Sequence, residues 1–352
     1  MIKGILFYKT EDYERNKWFA NEIVSKGKEY GLDIEIGIFN PYDINEAVEM
    51  AKKTKASFAL VRSIGFINVK NLNQALEEAG LRVFNNSMIS RIANNKMETF
   101  LWAKKSGLFE KGLVINSEQI SLKPTHMPKL LLNNQSGGIK PGDVLNFEAS
   151  EYIYLGEDAF LKYLSYEDFC SELERETGFI MKSCDGHGGS EVFYINDEKS
   201  CKEAISVIAQ SYIKDKQIYL NNNEFLPKLC VVQDICDEIG IDMRVYVLGG
   251  KVLAAVRRDS KVSFKSNFSL GGSATYIPKE NLSCEQKFVI DLIVDNLKPD
   301  FVGIDFIRNK GKWVLNEIED AVGCRMLYQV TEIDPVKLYV EYLATELNNG
   351  DL

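Results

Sequence analysis

Histidine is scarce in this chain: 352 residues carry only two, His126 and His187. Imidazole-based metal centres and Ser-His-Asp triads are therefore poorly provided for. The seven cysteines, at 170, 184, 201, 230, 236, 284 and 324, are odd in number and include no CxxC pair. That argues against a disulfide framework and against a zinc site. No apolar run approaches the ~20 residues that span a bilayer. The short apolar start at residues 2–8 runs straight into Lys9, Glu11 and Asp12, unlike a secretory leader. A cytoplasmic protein without membrane contact is the expectation. Basic residues are in the minority, 42 against 51 acidic, for a net charge of −9. Such a field repels phosphate backbones, so nucleic acid is not an expected partner.

What remains is an ordinary globular composition, 45% hydrophobic and 26% charged, long enough for two or three lobes at ~150 residues per domain. The first ninety residues alternate short apolar runs with amphipathic stretches, the cadence of a small parallel α/β sheet. Ligands of such sheets bind at the carboxyl ends of strands, which here carry Arg62-Ser63 and Asn85-Asn86-Ser87. A helix is expected from Asn95 to a stop at Gly107. Between 117 and 165 the pattern weakens around Pro124, Gly137-Gly138 and Pro141-Gly142, and reads as a loop-rich insertion. Further on, apolar runs at 229–235, 243–248, 252–256 and 301–307, with turns at Gly249-Gly250 and 309–311, read as an antiparallel sheet with flanking helices.

Three constellations could carry chemistry. The run Lys182-Ser183-Cys184-Asp185-Gly186-His187-Gly188-Gly189-Ser190 lies between two expected strands. Its glycines would let backbone N–H groups close on a phosphate, or simply serve a long hairpin. It matches neither GxGxxG nor the P-loop. The second is Asp305 on one apolar strand and Glu317, Glu319 and Asp320 on the next. With a three-residue turn at 309–311, Asp305 pairs opposite Leu315 and alternation places Glu317 and Glu319 on its face. Clustered carboxylates suit Mg²⁺ or form the solvated polar face of an edge hairpin, the second reading weakened by the apolar Ile304, Phe306, Val314 and Leu315. The third gathers Asp242, Arg244, Arg257, Arg258 and Lys265, either an anion site or a surface charge mixture.

Together these segments resemble the ATP-grasp superfamily, most closely its RimK-like ligases, from about Asn86 to the C-terminus. The resemblance implies an α/β (α+β) ATP-grasp fold. A parallel N-terminal domain (1–90) would precede two α+β lobes that clasp ATP, 91–225 with the loop-rich insertion and 226–352 with the metal and substrate site. It implies nucleotide contacts from Lys96, from Lys182 with the lid residues Gly188, Gly189 and Ser190, from the adenine hinge Gln233-Asp234-Ile235, and from Asp242. It implies catalytic roles for Arg258 and for Asn267 in Phe264-Lys-Ser-Asn-Phe268, and Mg²⁺ (or Mn²⁺) on Asp305 and Glu317. The family usually has asparagine where this chain has Glu319; the extra charge would either make Glu319 a third metal ligand or leave that position outside the metal's shell. The loop from Asp320 to Arg325 also departs from the family pattern.

The activity so implied is ligation of a carboxylate to an amine through an acylphosphate, with small-molecule or peptide substrates and a homodimer as the usual assembly. A small-molecule kinase on the same fold and a non-catalytic nucleotide-binding protein are the alternatives. Arg62, Arg244 and Arg325 are candidate clamps for an anionic acceptor; Arg325 could instead offset Glu319 and Asp320.

Overall fold

In the computed structural model, every residue is described except 42, 64–65, 127–137, 148, 157, 215–224, 261–271 and 350–352, and the side chains of 66–68. The chain opens with the apolar strand β1 (Ile2–Tyr8), then α1 (Thr10–Glu29), β2 (Leu32–Ile38), α2 (Ile44–Thr54), β3 (Phe58–Val61), α3 (Phe66–Glu78) and β4 (Arg82–Phe84). The four strands form a parallel sheet in the order β2-β1-β3-β4. Helix α2 starts where the Asp43 side chain accepts the Glu46 N–H at 3.2 Å, capping one of the amides a helix start leaves unpaired. After β4 come the short α4 (Ser87–Ala93) and α5 (Lys96–Lys105), each begun by an asparagine cap, Asn86 and Asn95.

The chain then enters a second compact unit, residues 116–235. Strands β5 (Ser117–Leu122), β6 (Pro124–His126), β7 (Val144–Phe147), β8 (Ser150–Gly156) and β9 (Ala159–Lys162) are followed by α6 (Tyr166–Glu172), β10 (Phe179–Ser183), β11 (Val192–Ile195), α7 (Glu198–Lys214) and β12 (Lys228–Gln233). They make two antiparallel sheets, β11-β10-β12-β5 and β6-β9-β8-β7. Phe169, Phe179, Met181, Ile205 and Val232 belong to the core of this unit. Residues 117–165, expected as loop-rich, therefore contain five strands among the described residues. Several are three or four residues long and β7 alternates exposed with half-buried positions, so no sustained apolar period marks them.

The chain returns to the first unit with β13 (Ile241–Leu248), β14 (Lys251–Asp259), β15 (Ser273–Ile277), α8 (Cys284–Leu297), β16 (Phe301–Asn309), β17 (Lys312–Glu319), α9 (Arg325–Val330) and α10 (Pro335–Asn349). The strands form one antiparallel sheet, β15-β14-β13-β16-β17. Its two faces are apolar for different reasons. Met243, Val245, Ile304, Phe306 and Leu315 pack with α5 and α8. Tyr246, Ala254, Val256 and Phe301 join Leu6, Phe58, Phe84 and the α10 residues Tyr339 and Leu343. The second face thus seats the sheet on the N-terminal strands. No helix among the described residues is long and apolar enough to cross a membrane.

Candidate active site

Register brings charge together on the second of those faces, beyond its apolar part. Asp242 stands opposite Arg258, Arg244 opposite Asp305, Asp305 opposite Glu317, and Gly303 opposite Glu319. Directly opposed residues project to the same side of a sheet. Arg244 donates from Nε and Nη2 to the two Asp305 oxygens, each at 2.7 Å, and Nη2 is also 2.7 Å from Glu319 Oε1. Arg258 grips Asp242 with two bonds of 2.6 Å and reaches Asp305 Oδ2 at 2.7 Å. Lys96, first residue of α5, places Nζ 3.5 Å from Glu317 Oε2.

The electrostatics follow from burial and pairing. Burial pushes the Asp305 carboxyl up, but Arg244 and Arg258 outweigh it and hold the group well below the usual carboxylate range. Burial raises Glu319; Arg244 pulls it back, and Asp305 and Glu317 add repulsion, for a net rise. One oxygen each from Asp305, Glu317 and Glu319 lie within 4.8 Å of one another. This all-oxygen donor set fits a hard divalent cation, which takes one or two carboxylates and shares the rest of its shell with phosphate and water. Glu317 and Glu319 are half-buried and Asp305 is buried.

The route by which the carboxylates meet differs from the sequence expectation. The β16–β17 turn has two residues, Lys310-Gly311, both with positive φ (+50° and +75°), the geometry favoured in tight hairpins. Phe306 pairs with Leu315, and a bulge then lets Asn316 slip so that Glu317, not Leu315, opposes Asp305. Leu315 and Glu317 therefore face opposite ways although two residues apart. Gly303 is a residue that sequence reasoning passed over. A Cβ there would meet Val322 Cγ2 at 2.7 Å and Arg244 Cδ at 3.4 Å. A glycine inside an apolar strand, next to Asp305 by two, was the available signal.

Other expected residues fall as follows. Arg62 stacks on Phe19 at 4.5 Å and donates to the Val322 carbonyl at 2.8 Å. Arg257 points to the other side of β14 from Arg258, and bonds Asp259 at 3.0 Å; it does not join the cluster. Arg325 is exposed and donates to the Arg15 carbonyl, so the described contacts do not pair it with Glu319 or Asp320. Asp320 is instead buried among Asn85, Ser90 and Asn94. In the second unit Lys182 is half-buried on β10, and Gly188 and Gly189 have φ of +66° and +73°. Ser190 Oγ donates to the His187 carbonyl at 3.3 Å. The root of this loop is tied by Lys228, 3.5 Å from Asp185 and 3.0 Å from Glu191. Gln233 is buried and donates to Ser117 Oγ at 3.0 Å; Asp234 accepts from Arg175 at 2.7 Å; Ile235 follows the end of β12 half-buried. Lys265 and Asn267 lie outside the described residues.

A family model described as a RimK-like ATP-grasp domain matches residues 160–343, more than half of the chain. Over 331 residues the chain is 24% identical to an uncharacterized protein of Mycoplasma genitalium, covering 93% of this chain and 86% of that protein. It is 29% identical over 122 residues to a probable alpha-L-glutamate ligase of Shewanella denitrificans, 34% of this chain and 40% of that one. Among solved structures, D-alanine–D-alanine ligase from Bacillus anthracis aligns with a TM-score of 0.59 at 13% identity, over 99% of this chain and 96% of that chain. A RimK domain ATP-grasp protein from Sphaerobacter thermophilus aligns with a TM-score of 0.58 at 12% identity, over 98% of both. These structures establish the fold: a parallel N-terminal sheet followed by antiparallel sheets in the ATP-grasp arrangement.

Proposed function

The chain belongs to the RimK-like ATP-grasp family, and from that premise we propose that it is an ATP-dependent carboxylate–amine ligase acting on an amino acid or peptide. In the proposed reaction a substrate carboxylate oxygen attacks the γ-phosphorus, the bond to the β–γ bridging oxygen breaks, and ADP leaves. The amine then attacks the acyl carbon, phosphate departs, and the nitrogen loses a proton. No side-chain nucleophile is needed, which suits a chain with two histidines.

The observation that carries the reading is the charge arrangement on one sheet face. Asp305, Glu317 and Glu319 converge within 4.8 Å, and Arg244 and Arg258 are threaded between the acids. Glu317, Glu319 and Asp305 would hold Mg²⁺, which when bound neutralises phosphate charge. Lys96 and Arg258 are proposed to add fixed positive charge to the phosphoryl group in transit, where catalysis is positioning and electrostatics. Lys182 and the Gly188–Gly189 loop are proposed to serve phosphate, Gln233, Asp234 and Ile235 the base, Asp242 the nucleotide, and Asn267 the reacting centre. Arg62 and Arg244 are proposed to orient an anionic acceptor.

Product analysis against pooled amino acids and small carboxylic acids tests the reaction. Amine-dependent release of ADP together with phosphate is expected. ADP without phosphate would mean a kinase, and neither product a nucleotide-binding protein. Glu317→Gln, nearly isosteric, should lower kcat by roughly 10²-fold or more with an unchanged circular dichroism spectrum. Wild-type turnover of that variant across a magnesium titration would place the metal elsewhere.

A further inference from the structure

Behind the carboxylate strand lies a buried polar cluster that the proposed chemistry does not use. Asp320 follows Glu319 and is 3% exposed. Its Oδ1 accepts from Asn85 Nδ2 at 2.7 Å, and its Oδ2 from Ser90 Oγ at 2.7 Å and Asn94 Nδ2 at 3.1 Å. Asn85 also ties the sheet from the other side. Its Oδ1 accepts the N–H groups of Asp300 and Phe301 at 2.7 and 3.0 Å, and its Nδ2 donates to the Phe301 carbonyl at 2.8 Å. All four side chains are buried. A sequestered carboxylate held by neutral donors is an expensive way to fill a core, and apolar packing of the same volume would serve stability as well. What a hydrogen-bonded buried network adds is a single geometry.

The geometry it fixes is that of the active site. One end of the cluster is the residue next to Glu319. The other end is the α4–α5 corner: Asn94 precedes Asn95, whose Oδ1 caps α5 by accepting the N–H groups of Met97 and Glu98 at 3.0 and 3.1 Å. Thr99 of α5 donates back to the Ile92 carbonyl at 2.6 Å, so the two helices turn as a unit. Lys96 stands on that corner with its ammonium 3.5 Å from Glu317. Resting on the function proposed above, we propose that Asp320 is a positioning residue: by binding Asn85, Ser90 and Asn94 to the strand end, it sets where Lys96 stands against Glu317 and Glu319. The loop that departs from the family pattern thereby acquires a role.

The test is titration of the full chain with MnATP by calorimetry, with the melting midpoint and the KM for ATP measured alongside. Asp320→Asn should weaken MnATP at least 10-fold and raise KM for ATP by a similar factor, at temperatures where circular dichroism shows a folded chain. In a Lys96→Ala background the same substitution should cost less than 3-fold, because its effect runs through Lys96. Leu297→Ala, in the apolar core of α8, should lower the midpoint and leave MnATP affinity at the wild-type value. Wild-type MnATP binding by Asp320→Asn, or an equal loss in both backgrounds, would overturn the proposal and leave the proposed function intact. If Asp320→Asn does not fold, Ser90→Ala is judged by the same criteria. A wild-type chain that binds no MnATP would defeat the functional reading, and this inference with it.

Discussion

Asp300 shows what one buried carboxylate can do to the response of the fold to pH. Its Oδ1 accepts from Arg82 and from the Tyr342 hydroxyl, both at 2.7 Å, while Oδ2 is buried with no partner among the described residues. Burial, only partly offset by Arg82, pushes its pKa up to about 6. The unfolded chain should titrate near the ordinary value of about 3.9. Between the two the folded state binds more protons than the unfolded one, so this group makes stability fall as pH rises from about 4 through about 6, and adds no further slope above. Asp300→Asn should remove that component while keeping an acceptor for Arg82 and Tyr342. The wild-type-minus-variant difference in unfolding free energy should fall between pH 4 and 6; a difference flat across that window would refute the assignment. At this scale the acid cluster of the candidate site was legible in the sequence, because Asp305, Glu317 and Glu319 stand out as acids among apolar residues. The partners of Arg244 and Arg258 were not. Each bonds a carboxylate across the sheet, and cross-strand partners depend on a register that residue types alone do not reveal.

The elements tell the same story through register. Strands β13, β14, β16 and β17 are evident as apolar runs, and the glycine pair at 249–250 marks its hairpin, both residues taking positive φ. The bulge at Asn316 has no such signature, yet it is what turns Glu317 toward Asp305 after Leu315 has gone to the core. Helix α8 went unread despite Ser283 and Gln286, which form a reciprocal cap at its start, the spacing that announces a helix. Gly303 connects packing to chemistry on β16. Gly303→Ala would press a methyl group against the buried Val322 and the stem of Arg244, and overpacking of this kind costs about 1–3 kcal/mol. The variant should melt at lower temperature and lose turnover, since the guanidinium that bridges Asp305 and Glu319 moves with its stem. An alanine variant as stable and as active as wild type would show that Val322 yields freely.

At the scale of the molecule, residues 116–235 form a compact unit set into the chain between 1–115 and 236–352. The division into a domain and two lobes at 90 and 225, implied by the family resemblance, stands as a proposal beside these units. The inserted unit leaves the chain as it entered: β5 pairs antiparallel with β12, Ser117 opposite Gln233, and the Asp234 N–H donates to the Asn116 carbonyl at 3.3 Å. Its ends are therefore neighbours, the condition under which a segment can be excised without straining either part. It also has an apolar core of its own, with Phe160, Phe179 and Ile205 fully buried. At 120 residues, counted from the unit boundaries, it is in the size range where a single core sustains cooperative folding. A fragment of residues 116–235 should accordingly unfold in one thermal transition and give a dispersed amide spectrum. The Arg175 fork to Glu118 and Asp234, each at 2.7 Å, lies wholly inside it and should survive excision. Arg175→Ala should then lower the midpoint of the fragment and of the full chain in the same direction, since the interactions removed are internal to the unit. A fragment that stays unfolded, or one indifferent to Arg175→Ala where the full chain is not, would show that the unit borrows its order from the rest of the chain.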